Sequence, residues 1–228
     1  MRIKSLLLAL VLLFGMMLSF TSCGTADGGP KKIPKEDILY IAVEDYGIVT
    51  VGLFAKQAPI TVANFKKLAS EGFYDGLTFH RIIESFMIQG GCPNGDGTGD
   101  SGTDITGEFA MNKVDTGLKH VEGTISMARS GHPYESYHNA GYVDISYKER
   151  EPYYNSASSQ FFIVTETSEN NTASLDGKYA AFGRVLEGMD IVKAIAAVKT
   201  DANDKPTKTV TIATITADKA AAEAALSK

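Results

Sequence analysis

Arg81 and Gln89 are the polar side chains most able to do chemistry here, because each is set in an otherwise apolar run. The runs are Phe79-His80-Arg81-Ile82-Ile83 and Phe86-Met87-Ile88-Gln89-Gly90-Gly91, separated by Glu84-Ser85. Read as a strand, the first run puts Phe79, Arg81 and Ile83 on one side and His80 and Ile82 on the other. A guanidinium among apolar neighbours is costly unless its head reaches water or a partner, so that face should be a surface groove. In the second run Phe86, Ile88 and Gly90 alternate with Met87, Gln89 and Gly91, and the Glu84-Ser85 turn brings the runs together. The expected product is a shallow apolar floor with Arg81 and Gln89 as polar handles. His80 points away from Arg81 and reads as a structural hydrogen-bonding group.

The rest of the chain must supply the scaffold. Ile38-Val43 and Ile48-Phe54 are β-rich runs around the turn Glu44-Asp45-Tyr46-Gly47, which reads as a hairpin. Val62, Phe65, Leu68 and Ala69 recur at helical spacing, with Thr61 as N-cap and Gly72 beyond the end. Gly90 to Gly107 is a glycine-rich loop, but no Gly-Lys-Ser/Thr follows and no strand-to-helix context supports a phosphate cradle. Gly123-Ala128 and Gln160-Thr165 read as further strands, and Leu175-Arg184 as a Gly-punctuated turn and strand. Met189, Val192 and Ile195 line a helical face with Asp190 near its positive end, Thr209-Ile215 closes the sheet, and Ala217-Lys228 is an Ala-rich tail free to fray. Between Ala128 and Gln160 the connection is unusually long. This insertion, about residues 130–155, holds Tyr134, Tyr137, Tyr142, Tyr147, Tyr153 and Tyr154, six of the ten tyrosines. It is a candidate groove wall that helps select substrates, since tyrosine combines apolar area with a hydroxyl, and the alternative is a decorated loop that packs on itself. His132 and His138 lack carboxylate or thiolate support, so no metal site is expected.

The thirteen residues Phe79-Gly91 resemble the signature of the cyclophilins, a family of peptidyl-prolyl cis-trans isomerases. Four later blocks follow in the family's order: Gly91-Gly99, Gly123-Ala128, Ser159-Ile163, and Leu175-Tyr179 with Phe182-Gly183. The resemblance covers roughly Ile38 to Ile215. It implies a mainly β fold, a closed eight-stranded antiparallel barrel capped by two α-helices, with an isomerase domain over 38–217. It assigns Arg81 the role of donor to the prolyl nitrogen. Phe86, Met87, Phe162 and Leu175 would line the proline pocket, and Gln89 would help fix Arg81 and the substrate carbonyl. Ala128, Arg129 and Gln160 would border the peptide backbone, Gly97 and Thr98 would lie on the loop's inner side, and Tyr179 would stand at the rim. Ser174 departs from the family, where many relatives place a Trp that contributes to cyclosporin binding, and weak inhibition by that drug is implied.

The charge balance and the N-terminus bound the remaining possibilities. Arg2 and Lys4 precede an apolar run from Leu6 to Phe20 and then Thr21-Ser22, which reads as a signal peptide over 1–22. Cys23 directly behind Thr21-Ser22 resembles a bacterial lipoprotein processing site, which implies lipidation at Cys23. Residues 23–37 read as a flexible tether, and 218–228 as a terminal tail. The protein would then be exported and membrane-anchored in the cell envelope. Losing Arg2 and Lys4 leaves 20 basic against 27 acidic side chains, a net charge of −7, which disfavours nucleic acid as a partner. With Cys23 lipidated, Cys92 has no disulfide partner and reads as a loop thiol without a role. Proline-containing polypeptides are the expected partners, with no cofactor, and the chain is expected to be a monomer. The competing reading is a proline-motif binding module in which the tyrosine insertion carries the interaction.

Overall fold

The computed structural model describes residues 25–227, so the apolar run Leu6-Phe20 and Cys23 lie outside the described residues. Eight antiparallel strands form one sheet: β1 Ile38–Val43, β2 Gly47–Leu53, β3 Phe79–Ile83, β4 Met87–Gly90, β5 Thr124–Met127, β6 Phe161–Val164, β7 Ala181–Glu187 and β8 Ile212–Thr216. Their spatial order is β3-β4-β6-β5-β7-β2-β1-β8. The two outer strands meet, because Phe79 N–H donates to Val210 O at 2.9 Å and Ile212 N–H to Leu77 O at 2.7 Å. Closing the edges satisfies backbone groups that an open sheet would expose. The result is the nearly closed eight-stranded barrel expected.

Inward-facing Ile41, Val51, Ile82, Ile88, Ile125 and Ile215 fill the barrel. Helix α1 (Pro59–Ser70) buries Val62, Phe65, Leu68 and Ala69, the face expected from their spacing. The Phe65 ring meets the Tyr74, Phe161 and Phe182 rings in tilted and edge-to-face contacts with centres within 5.2 Å, so the helix is held by aromatic contacts. Thr61 is not its N-cap. The helix begins at Pro59, and the capping acceptor is the buried carboxylate of Glu108, which takes N–H bonds from Ile60 (3.1 Å) and Thr61 (2.8 Å) and the Thr61 hydroxyl (2.7 Å). A carboxylate there also complements the helix dipole.

The insertion folds into α2 (Glu135–Asn139) and α3 (Tyr147–Tyr154), the latter opened by a capping box between Ser146 and Glu149. Its tyrosines divide: Tyr154 is buried, whereas Tyr134, Tyr137 and Tyr142 are 59, 55 and 80% exposed. Helix α4 (Met189–Ala196) packs Val192 and Ile195 into the core.

Two segments differ from expectation. Residues 218–227 do not trail away: Asp218 caps α5 (Lys219–Ala225), whose Ala222 is fully buried, and the helix packs on β1 and β8. Its low side-chain volume reads as featureless in sequence, yet lets the helix backbone approach the sheet closely. Residues 25–37 likewise lie against the barrel. The Asp27 carboxylate pairs with Arg184 at 3.2 Å, Gly29 abuts the Phe54 ring, and Ile33 packs on Phe54, Leu118 and Ala181.

Candidate active site

The site is built by an irregularity in β3. Phe79 pairs with Gly90, but the next pair is Arg81 with Gln89, so His80 is an extra residue, a β-bulge. A bulge breaks the two-residue alternation and redirects the following side chain. Phe79 therefore faces the core with Ile82 instead of sharing Arg81's side, and Arg81 turns outward with its side chain 45% exposed. The expected common face of Phe79 and Arg81 is corrected by that single unpaired residue. His80 pays for it. Both its ring nitrogens are buried without a partner of good hydrogen-bond geometry among the described residues, and the backbone of Thr78 offers only a weak contact. Burial holds its pKa below the ordinary histidine value, against opposing contributions from Thr78 and Asp96.

On the outer face beside Arg81, β3, β4 and β6 present Ile83, Met87, Phe162 and Val164 as an apolar cluster, joined by Phe86, Leu175, Ala128 and Tyr179. Phe86 lies not in β4 but in the preceding turn, where Ser85 adopts φ 57° and Phe86 N–H bonds Ile83 O. A cavity of about 250 Å³ opens there, lined by Arg81, Phe86, Met87, Gln89, Ala128, Arg129, Phe162, Leu175 and Tyr179. A second cavity of about 250 Å³ adjoins it, sharing Gln89, Ala128 and Arg129 and adding Gly97, Thr98, Asp100 and Gln160 with serines 130, 156 and 158. Every site residue expected from sequence within the described residues thus lines one or both cavities. Cys23 lies outside them.

The polar framework runs differently from expectation. Gln89 does not fix Arg81; its Nε2 donates to Gln160 Oε1 at 3.0 Å, and Gln160 Nε2 donates to the carbonyls of Gly97 (2.9 Å) and Gly99 (2.8 Å). The two glutamines therefore clamp the glycine-rich loop. Cys92 shapes the same loop from below, accepting N–H bonds from Gly97 (3.2 Å) and Gly99 (3.3 Å) at a fully buried sulfur, so it is not an idle thiol. Burial pushes that thiol's pKa up, but the loop N–H groups outweigh it and leave the value below the ordinary one. Gly91, at φ 85°, must be glycine, since a Cβ would meet Ser159 O at 2.5 Å.

Arg129 is nearly sealed, its side chain 3% exposed. Its guanidinium pairs with Glu135 of α2 at 2.8 Å, donates to Lys178 O, and lies about 5 Å from the Tyr154 and Tyr179 ring centres. The insertion is thereby tied to the wall of both cavities.

Behind the apolar floor lies a constellation that sequence spacing hid. His120 is buried, stacks on Phe162, and links Asp176 (Nδ1–Oδ1 3.0 Å) to Ser126 (Nε2–Oγ 2.9 Å). Residue types alone suggest a nucleophilic triad, but Ser126 has no exposed surface, so no substrate carbonyl can reach it. The chain instead stiffens the floor beneath Phe162. Burial pushes the Asp176 carboxyl up, while its bonds to His120 and the nearby Lys119 outweigh this and hold it below the ordinary value.

Comparison with known proteins agrees with this architecture. A family model described as cyclophilin type peptidyl-prolyl cis-trans isomerase/CLD matches residues 38–217. A peptidyl-prolyl cis-trans isomerase-like 1 of Rhizopus delemar is 42% identical over 160 residues, covering 70% of this chain and 80% of the relative. Peptidyl-prolyl cis-trans isomerase B of Bacillus subtilis is 39% identical over 154 residues, 68% of this chain and 87% of the relative. A Cryptosporidium parvum cyclophilin type isomerase, crystallised in the presence of the dipeptide Ala-Pro, superposes with a TM-score of 0.62 at 28% identity, over 78% of this chain and 97% of that one. With its barrel, its outward arginine and its apolar notch, the chain belongs to the cyclophilin-type peptidyl-prolyl cis-trans isomerases.

Proposed function

We propose that this isomerase acts on polypeptides that fold after export, and that Arg81 is the group on which its rate depends. Amide resonance sets a barrier of ~18–20 kcal/mol to rotation about the Xaa–Pro bond. Twisting the bond breaks resonance and returns a lone pair to the prolyl nitrogen. A donor aimed at that nitrogen bonds it only in the twisted state, which is the condition for lowering the barrier rather than merely binding substrate. Arg81 supplies such a donor, with Phe86, Met87, Phe162 and Leu175 accepting the proline ring and excluding water. Gln89 and Gln160 hold the loop of Gly97 and Thr98 against the preceding peptide, and Ala128 and Arg129 form the opposite border.

The observation that carries this reading is the cation standing half-exposed at the rim of a cavity that Phe86, Met87, Phe162 and Leu175 also line. In a protease-coupled assay on a proline peptide, Arg81→Ala is expected to lose most activity while keeping its fold. Full turnover in a folded variant would overturn the assignment. Export and anchoring rest on the apolar run and on Cys23 behind Thr21-Ser22. Mass spectrometry of the mature protein from a native membrane fraction is expected to find a diacylglyceryl group on Cys23, and an unmodified N-terminus elsewhere would contradict it.

A further inference from the structure

We propose that Asp204 is the positioning residue for Arg81, holding the guanidinium plane in the orientation that twisted Xaa–Pro bonds require. This rests on the catalytic reading of Arg81 given above. Asp204 lies 123 positions away in sequence, yet its Oδ2 accepts from Arg81 Nε at 3.3 Å and from Nη2 at 3.2 Å. Two donors on one rigid fork fix the plane as well as the position of the group. Arg81 Nη1 has no hydrogen-bond partner among the described residues, which leaves it free for a substrate.

The loop is constructed to deliver this carboxylate. Asp204 O accepts the Ile82 N–H at 2.8 Å, so the main chain of Asp204 adds a rung to the β3 edge next to Arg81. Asp204 adopts φ 62°, a left-handed conformation that Asp tolerates better than most residues. The turn is closed from within: Asp201 Oδ1 accepts from Asn203 N (2.8 Å) and Lys205 N (3.0 Å), and Asp201 N donates to Lys205 O (2.8 Å). Backbone and side chain of one residue thus grip β3 at two consecutive positions.

Charge and orientation pull in opposite directions, and magnitude decides between them. A carboxylate partially neutralises the cation that a substrate needs. Both side chains are 40% or more exposed, however, so solvent and salt screen that attraction. The geometric constraint on a long side chain with several rotatable bonds is not screened. Orientation therefore dominates, and removing Asp204 slows the reaction.

The test compares wild type with Asp204→Gly, Asp204→Asn and Arg81→Ala by steady-state kinetics on one proline peptide, with NMR observation of the Arg81 Nε–H. Glycine suits the left-handed backbone without strain, and asparagine keeps an acceptor there. Asp204→Gly is expected to lower kcat about tenfold and Asp204→Asn about threefold, with KM within about twofold of wild type, the scale of a modest charge-assisted contact. The Nε–H signal is expected to shift upfield and exchange faster in Asp204→Gly. Wild-type kcat in both Asp204 variants, or a loss appearing wholly in KM, overturns the positioning role while an inactive Arg81→Ala leaves the isomerase site standing. An active Arg81→Ala overturns the underlying reading instead. Should Asp204→Gly fail to fold, the kcat of Asp204→Asn together with its Nε–H signal decides the matter by the same criteria.

Discussion

His80 shows at the scale of a single residue how the site is made and what it costs. Inserting it unpaired into β3 turns Arg81 outward, but buries two ring nitrogens that find no partner of good hydrogen-bond geometry among the described residues. Desolvation holds the folded-state pKa below the ordinary 6.5, while the backbone at Thr78 and the charge of Asp96 raise it and Arg81 lowers it. The unfolded chain therefore takes up a proton first as pH falls. Stability is complete above the ordinary value and declines as pH drops through it toward the lower folded value. The melting temperature of wild type is expected to fall between pH 7.5 and pH 5 by more than that of His80→Gln, and equal pH dependence would contradict this. The residue order around Arg81 was legible in the sequence, including its place at a groove. The bulge was not, because strict alternation and one skipped residue give the same string Phe-His-Arg-Ile-Ile. Asp204 was equally hidden, since nothing local marks a partner 123 residues away.

At the scale of elements, apolar periodicity located most of the strands and both core helices, while polar contacts across long separations set their ends. Helix α1 is the clearest case. Thr61 looks like a cap by residue type, but the first turn is satisfied by Glu108, 47 residues downstream of Thr61. Glu108→Ala leaves two N–H groups and a hydroxyl without their acceptor, and is expected to cost about 2 kcal/mol in urea unfolding. An unchanged midpoint and slope would contradict that role. The α5 segment was missed for the opposite reason, since alanines carry no amphipathic signal even when one of them is fully buried. Truncation after Thr216 is accordingly expected to lower the melting temperature by several degrees, because it uncovers β1 and β8. A truncated protein melting with wild type would show that α5 contributes nothing.

At the scale of the whole molecule, the barrel presents one face on which a cation, an apolar notch and a polar second cavity adjoin. The insertion meets that face through the Arg129–Glu135 pair while exposing Tyr134 and Tyr137 beyond it. If those rings contact the flanks of long substrates, replacing both by serine slows refolding of a proline-limited unfolded protein but not turnover of a short peptide. Equal effects on the two substrates would argue against that contact. The long insertion was legible as an excess of length and tyrosine. Its split into buried and exposed rings was not, because identical residues differ only in what folds over them. The segment 25–37 behaves similarly: its composition resembles a linker, yet Asp27 is buried against Arg184, a pairing that only the folded barrel creates.

The central claim is that one guanidinium beside an apolar notch favours the twisted imide over the planar one. Two-dimensional NMR exchange on a proline peptide measures it directly, because cis-to-trans exchange and peptide affinity are read in the same sample. Arg81→Ala is expected to bind the peptide within a few-fold of wild type while catalysed exchange falls roughly a hundredfold, the loss expected for a donor engaged only at the barrier. Undiminished exchange in the folded variant, or a loss of exchange matched by an equal loss of affinity, would contradict the claim.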